Sequence, residues 1–292
     1  MKFKIYANLF LKIGSNTWKI STLSKYKIIV YKKLNFLFDK DLENIKASDL
    51  KFWLTSQNKS GKTLMDYKSV LNQIFLLAKY DEIIKTNPVD YIKSPKKIKP
   101  LIIPFTSKQV SQILNLSKKY PLKFQIFLKI GFFTGARTGE ILALKKQNFD
   151  FENSVFEICR SRSKFGENIP KTQSSIRKVP IFNTIRSDLF NYVSNLKTEY
   201  LFLNQYGQPY NTDFSFTRYF WKPILKSLNI KYQRLYTMRH TFATNILKNG
   251  LLSPYELSKI LGHSTTEMVY NRYVKFVENQ KNDFKLDLDI YQ

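Results

Sequence analysis

The chain of 292 residues contains one cysteine, Cys159, and two histidines, His240 and His263. A single cysteine excludes a disulfide framework and a cysteine-rich zinc site, and two histidines alone are too few to hold a metal ion. Long apolar runs are missing too. The longest, near 124–133, is interrupted by Lys129 and falls far short of a membrane span. The charged, aromatic start Met1–Phe10 lacks the order of regions that marks a signal peptide. These absences lead to the expectation of a soluble cytoplasmic protein with no membrane partner, no metal and no cofactor. Acidic residues are scarce as well, 22 against 48 lysines and arginines, which leaves a formal net charge of +26.

What is present fits a folded protein: 43% hydrophobic and 15% aromatic residues are enough to build a core. The positive charge is unevenly spread. Residues 91–139 carry ten basic side chains and no acid, and residues 214–255 carry seven and no acid. Tracts of this kind on a folded chain point to a surface that faces a polyanion, of which nucleic acid is the usual one. A generally basic, solvated surface is the blander reading of composition alone.

Three prolines (Pro95, Pro100, Pro104) and three lysines (Lys96, Lys97, Lys99) in 94–105 forbid a continuous helix and mark a basic linker. The three lysines are candidate DNA contacts. Residues 19–93 carry apolar positions at helical spacing and predict an all-α domain, with Ser48 as an N-cap and helices over 24–38, 49–56 and 63–79. Residues 1–18 remain unassigned. Ser60-Gly61-Lys62-Thr63 superficially suggests a phosphate loop, but its first glycine is replaced by Ser56 and no strand leads in. Past the linker, Thr106–Gln109 predicts a capping box that opens a helix. Helical periodicity fills 107–131, strand-like segments follow at 154–160, 168–172 and 176–181, and helical patterns return at 182–197, 211–228 and 237–271. The segment 278–292 is the only acidic part, four acids against two lysines.

Candidate chemistry lies in three segments. "TGARTGEILALK" sets Arg137 ahead of a short amphipathic helix, with Glu140 spaced to orient its guanidinium; taken alone it is a helix-start glycine with a surface Arg–Glu pair. "IPKTQSSIRKVPI" predicts a hairpin with Lys171 near its tip and Arg177 and Lys178 on the return strand; a lone hairpin lysine is ordinarily just solvated. "YTMRHTFATNILKNGLLSPYELSKILGHSTTEMVYNRY" gathers Tyr236, Arg239, His240, His263, Tyr270 and Tyr273. No aspartate in that tract completes a serine–histidine–aspartate set. A cationic group with tyrosines and no metal suits a phosphodiester whose transition state gains negative charge.

In this order the segments resemble the tyrosine recombinase family, the phage-integrase type of site-specific DNA recombinases, over about 105–277. The resemblance implies an α+β, mostly helical, two-domain C-shaped clamp on double-stranded DNA. It comprises the all-α core-binding domain 19–93, the linker 94–105, the catalytic domain 106–277 with a small antiparallel sheet, and a tail 278–292 whose acidic balance predicts docking on a neighbouring subunit. Arg137 and Arg239 match the two arginines that clamp the scissile phosphate, Lys171 the lysine that protonates the departing 5′ oxygen, and His263 the histidine that hydrogen-bonds the phosphate. Tyr273 matches the nucleophile, with Tyr270 as its rival, while Glu140 and His240 resemble supports behind these groups. The family usually has a histidine where this chain has Tyr236, which is expected to substitute in the site. Also implied are a tetramer on DNA, an accessory directionality factor and a bacterial, nucleoid-associated setting. An integrase of a phage or other mobile element leads; a dimer resolvase and a catalytically lapsed DNA-binding homologue remain open.

Overall fold

A computed structural model describes residues 1–96, 103–170, 172–270 and 273. The chain divides into two compact units, Met1–Leu101 and Ile102–Gln292.

The first unit is helical. Residues 1–18, unassigned from sequence, begin with α1 (Phe3–Ser15), which buries Phe3, Tyr6, Ala7, Phe10 and Leu11 at three- and four-residue spacing. Helices α2 (Ile20–Lys33), α3 (Ala47–Ser56) and α4 (Gly61–Tyr80) follow. Helix α4 is the central element: Val70, Leu71, Ile74, Phe75 and Ala78 are buried, and Phe75 packs on Phe3 at 5.7 Å between ring centroids. Each such fully buried large side chain is worth about 1.5–3 kcal/mol over its exposed state. Ser60 is the N-cap of α4 and accepts a hydrogen bond from the Thr63 backbone N–H at 3.3 Å, so the Ser-Gly-Lys-Thr segment is a helix start. Ser48 is not a cap; α3 already begins at Ala47, one residue earlier.

The second unit is mixed. Its first helix, α5 (Ser107–Ser117), opens with the capping box of Thr106 and Gln109. Pro121 then divides the predicted 107–131 helix, because a proline has no N–H to continue the ladder, and α6 (Leu122–Thr134) starts after it. Helix α6 is mostly apolar, interrupted by Lys123, Gln125 and Lys129, and it is buried on most sides (Phe124, Ile126, Phe127, Leu128, Ile130, Phe132), which makes it the axis of the unit. A short helix α7 (Thr138–Ile141) precedes the sheet. Strands β1 (Phe149–Asp150) and β2 (Val155–Ile158) pair antiparallel, β3 (Ser161–Ser163) and β4 (Gly166–Asn168) form a separate hairpin, and β5 (Arg177–Pro180) returns to β2 with Ile158 opposite Arg177.

The hairpin therefore turns at Lys164-Phe165, not within 169–181. Gly166, at φ +90°, supplies the left-handed residue that the tight turn needs, whereas Pro170 has no N–H to pair with a return strand. Residues 173–175 form a single 3₁₀ turn ahead of β5.

Helix α8 (Asn183–Ser194) packs against α6 and buries Ile185, Leu189 and Val193. Next, α9 (Phe214–Phe216) runs through a π-turn (Thr217–Trp221) into α10 (Lys222–Ser227), where Pro223 has no N–H to offer the preceding turn. The predicted 237–271 helix is three: α11 (Thr237–Lys248), α12 (Pro254–Leu261) and α13 (Glu267–Val269). Asn249-Gly250 and Gly262 end the first two, with Gly250 and Gly262 in the left-handed region.

Candidate active site

Two chain turns and one helix converge on one cationic cluster. The first is the α6–α7 corner. Gly135 caps α6 at φ 64°, and a Cβ there would lie 2.6 Å from the Phe242 ring, so only glycine fits. Arg137 follows as the N-cap residue of α7. Its backbone N–H donates to Glu140 Oε2 at 2.8 Å and its guanidinium to Glu140 Oε1 at 2.6 Å. One carboxylate thus fixes both ends of Arg137, whose side chain keeps about a third of its surface exposed (32%).

The second is α11. Arg239 is 1% exposed, donates to Gly135 O at 2.8 Å and Leu261 O at 2.7 Å, and lies 2.9 Å from His263 Nε2. A guanidinium has no acceptor, so it donates here and Nε2 of His263 accepts. The Arg239 Nε has no hydrogen-bond partner among the described residues. Burial, followed by the charge of Arg137, pulls the Arg239 pKa down to about 10.

The third is the end of α12. Gly262, at φ 65°, turns the chain so that Leu261 O meets Arg239, Gly262 O meets Arg137 Nη2 at 3.4 Å, and His263 follows directly. Tyr236, half-buried at the start of α11, interacts with Arg137, and its ring meets that of His240 edge-on at 5.1 Å. Burial works against the charge of Arg137, but Glu140 and then Tyr236 outweigh it and hold its pKa above the ordinary arginine value.

His240 and Tyr273 are both buried, and the Tyr273 hydroxyl lies 3.0 Å from His240 Nδ1. Tyr273 packs with Phe242, Ala243, Ile246, Leu257, Leu261 and Val269. Tyr270, by contrast, is 50% exposed. Of the two tyrosines, Tyr273 is the one held in the fold.

The structure brings Arg137, Glu140, Tyr236, Arg239 and His263 into one cluster, with His240 linking Tyr236 to Tyr273. Lys171, Lys97 and Lys99 lie outside the described residues, and Lys96 is exposed on the first unit. Sequence reasoning gave Arg177 no role, yet its side chain is 6% exposed and pairs with Glu140 at 3.0 Å. The signal was available: strand alternation puts Arg177 in phase with buried Val179, and a cation at an inward position must have a partner. Burial disfavours the Glu140 carboxylate, but Arg177 first, and then Arg137 and Arg239, hold its pKa below the usual glutamate value. Three guanidiniums around one carboxylate leave the cluster net positive, suited to an anion with oxygens on several sides. Among the described residues no group of three or more His, Cys, Asp or Glu side chains is placed to hold a metal ion.

Comparisons with known proteins point the same way. The family model described as "Phage integrase family" matches residues 104–280. A XerC-like tyrosine recombinase of Caldanaerobacter subterraneus subsp. tengcongensis is 27% identical over 265 residues, covering 79% of this chain and 66% of that protein. The transposase of transposon Tn916 from Enterococcus faecalis is 27% identical over 306 residues, covering 90% of this chain and 70% of that protein. Among solved structures, the Tn1549 transposon integrase in complex with transposon right-end DNA is 25% identical with a TM-score of 0.78, covering 92% of this chain and 94% of that one. A lambda integrase tetramer bound to a Holliday junction shares the fold at 18% identity and a TM-score of 0.73, covering 91% of this chain and 78% of that one.

Proposed function

From the premise that this chain belongs to the phage integrase family of tyrosine recombinases, we propose that it breaks and rejoins duplex DNA at specific sites as the integrase of a mobile element. The observation that carries this reading is Arg239: a guanidinium 1% exposed, pressed by the charge of Arg137, with its Nε free of partners among the described residues. A bound phosphodiester supplies the missing counter-charge, and its non-bridging oxygens match the fork geometry of two arginines.

In this reading Arg137 and Arg239 hold the non-bridging oxygens and His263 hydrogen-bonds one of them. The Tyr273 oxygen attacks phosphorus, the bond to the 5′ oxygen breaks, and a 3′-phosphotyrosyl link keeps the bond energy for rejoining. Lys171 gives the proton that the departing 5′ oxygen takes up. Tyr236 stands where relatives carry histidine and contributes a hydroxyl beside Arg137. Because a free phenol titrates near pH 10, the surrounding cations must favour ionisation of the nucleophile Tyr273 during attack. Lys96, Lys97 and Lys99 follow the phosphate backbone on the way between the two units. Four copies assemble on two sites, the tail 278–292 docks on a neighbouring copy, and an accessory factor sets direction. The setting is the bacterial cytoplasm, on nucleoid DNA.

A covalent trap tests the reading. The protein is incubated with fragmented DNA flanking its own gene, denatured in detergent and examined for DNA-linked protein. An adduct present in the wild type and absent in Tyr273→Phe supports it, and sequencing the captured fragments gives the site. Tight binding without any adduct points instead to a homologue that binds DNA but has lost catalysis.

A further inference from the structure

The structure assigns Arg177 as the positioning residue that sets Arg137 and the His263 turn in register, an assignment that rests on the recombination reading of the same site. Arg177 spends its guanidinium on three segments of chain. Nη2 donates to Glu140 Oε2 at 3.0 Å and Nη1 approaches Oε1 at 3.3 Å, so the fork grips the carboxylate that holds both the backbone and the side chain of Arg137. Nε donates to Ile260 O at 2.5 Å, at the end of α12, one residue before the Leu261 carbonyl that Arg239 takes. Nη1 also donates to Ser175 O at 3.0 Å, in the turn whose Ser175 N–H bonds Thr172 O; Thr172 directly follows Lys171 in sequence.

The fit is close on the α12 side. A Cβ at Gly262 would lie 2.9 Å from Arg177 Nη1 and 3.0 Å from Ser174 O, so the left-handed glycine that turns the chain toward His263 also makes room for this guanidinium. A planar fork is required, because a lysine ammonium has one point of charge and cannot reach the carboxylate and two carbonyls at once. Arg177 does not touch the phosphate in this arrangement. It acts through Glu140 on Arg137, and through Ile260 on the backbone that carries Gly262 and His263.

Arg177→Met tests the assignment on two half-site substrates, one with an ordinary scissile phosphate and one with a neutral methylphosphonate there. On the phosphate, the single-turnover rate of adduct formation at saturating DNA is expected to fall about 10²-fold, the size of loss that a misplaced catalytic group produces, with DNA affinity little changed. On the methylphosphonate there is less charge for Arg137 to neutralise, so the loss is expected to shrink by about tenfold, as it would for Arg137→Ala. An equal loss on both substrates, or a rate close to wild type, overturns the assignment. If Arg177→Met does not fold, Arg177→Lys, which keeps a charge beside Glu140, is read by the same comparison. Absence of any adduct from the wild type sinks the recombinase reading, not this one. Orthovanadate binding measured by calorimetry then decides: affinity weakened about tenfold by the variant upholds the assignment, and equal affinity overturns it.

Discussion

The hydroxyl of Tyr273 and Nδ1 of His240 lie 3.0 Å apart, across 33 residues of sequence and inside a small apolar cluster. His240 thus does more than support Arg239 from the next position on α11: it touches the proposed nucleophile itself. A phenol within hydrogen-bond reach of an imidazole has its orientation set before DNA arrives, beside a group able to exchange its proton. His240→Ala is expected to slow adduct formation about 10²-fold while DNA affinity stays near wild type, as positioned acid–base groups typically contribute that much. His240→Gln, which keeps a polar group in reach, should lose less. Rates on a nicked half-site, measured alongside gel-shift affinity, separate chemistry from binding.

The choice between two tyrosines follows from their surroundings. Tyr273 is buried against α11 and α12, and Tyr270 projects with half of its surface exposed. Tyr273→Phe removes one hydroxyl and should abolish the adduct, at a stability cost of about 1 kcal/mol for the lost hydrogen bond. Tyr270→Phe should leave the adduct intact and the melting temperature unmoved. An adduct that survives in Tyr273→Phe and disappears in Tyr270→Phe would reverse the assignment.

Much of this site was legible in the sequence because its residues sit in short, ordered motifs whose local signals are strong: Arg137 three residues before Glu140, Arg239 beside His240, and Leu-Gly-His ahead of the tyrosines. The same held for the capping box at Thr106 and for the broad α+β pattern. Arg177 was not legible in the same way, since its partners Glu140 and Ile260 are 37 and 83 residues distant and only the tertiary fold unites them. The hairpin was misplaced for a local reason. Residues 168–181 alternate enough to read as two strands, but Pro170 and the 3₁₀ turn at 173–175 interrupt pairing, and β5 finds its partner in β2 instead. Helix α1 lay in the unassigned residues 1–18, where basic residues interleave with the apolar positions Phe3, Tyr6, Ala7, Phe10 and Leu11 that form one buried face.

Glu140 makes the fold sensitive to acid. It is 2% exposed and held below its ordinary pKa near 4.5 by Arg177, Arg137 and Arg239. The folded state therefore binds this proton less readily than the unfolded chain does. Its contribution is complete above that ordinary value and is lost as pH falls through the lower folded-state pKa. Melting temperature is expected to drop below about pH 4.5 in the wild type, and Glu140→Gln should flatten that acid limb. Glu140→Ala leaves Arg177 buried without its counter-charge and should cost roughly 3–5 kcal/mol at neutral pH. Thermal unfolding followed from pH 3 to 7 checks both.

Both parts of the chain are strongly basic, and this governs how DNA affinity depends on salt. With roughly six to ten phosphates contacted per copy, affinity should fall about 10³–10⁵-fold between 50 and 200 mM salt. Charge reversal at exposed Lys96 should weaken binding similarly on every sequence and lower the salt slope. A Lys96→Glu variant with an unchanged slope in a fluorescence titration would remove the linker from the phosphate path.

Tyr236 is the position at which the proposed site departs from the pattern that the family resemblance implies. Its hydroxyl interacts with Arg137 and its ring meets His240 edge-on, so it connects Arg137 with the Tyr273–His240 pair. Tyr236→Phe keeps the ring packing and removes the hydroxyl, and should slow adduct formation about tenfold if that group contributes one hydrogen bond in the transition state. Tyr236→His introduces the residue type that the family resemblance implies here, with an imidazole better matched to proton transfer near neutral pH. If Tyr236 works as a substitute, Tyr236→His changes the rate by only a few-fold and Tyr236→Phe is the slower variant. A large gain in Tyr236→His from an almost inactive wild type would instead mark the natural protein as a DNA binder whose catalysis has lapsed, and the adduct assay distinguishes the two in a single series.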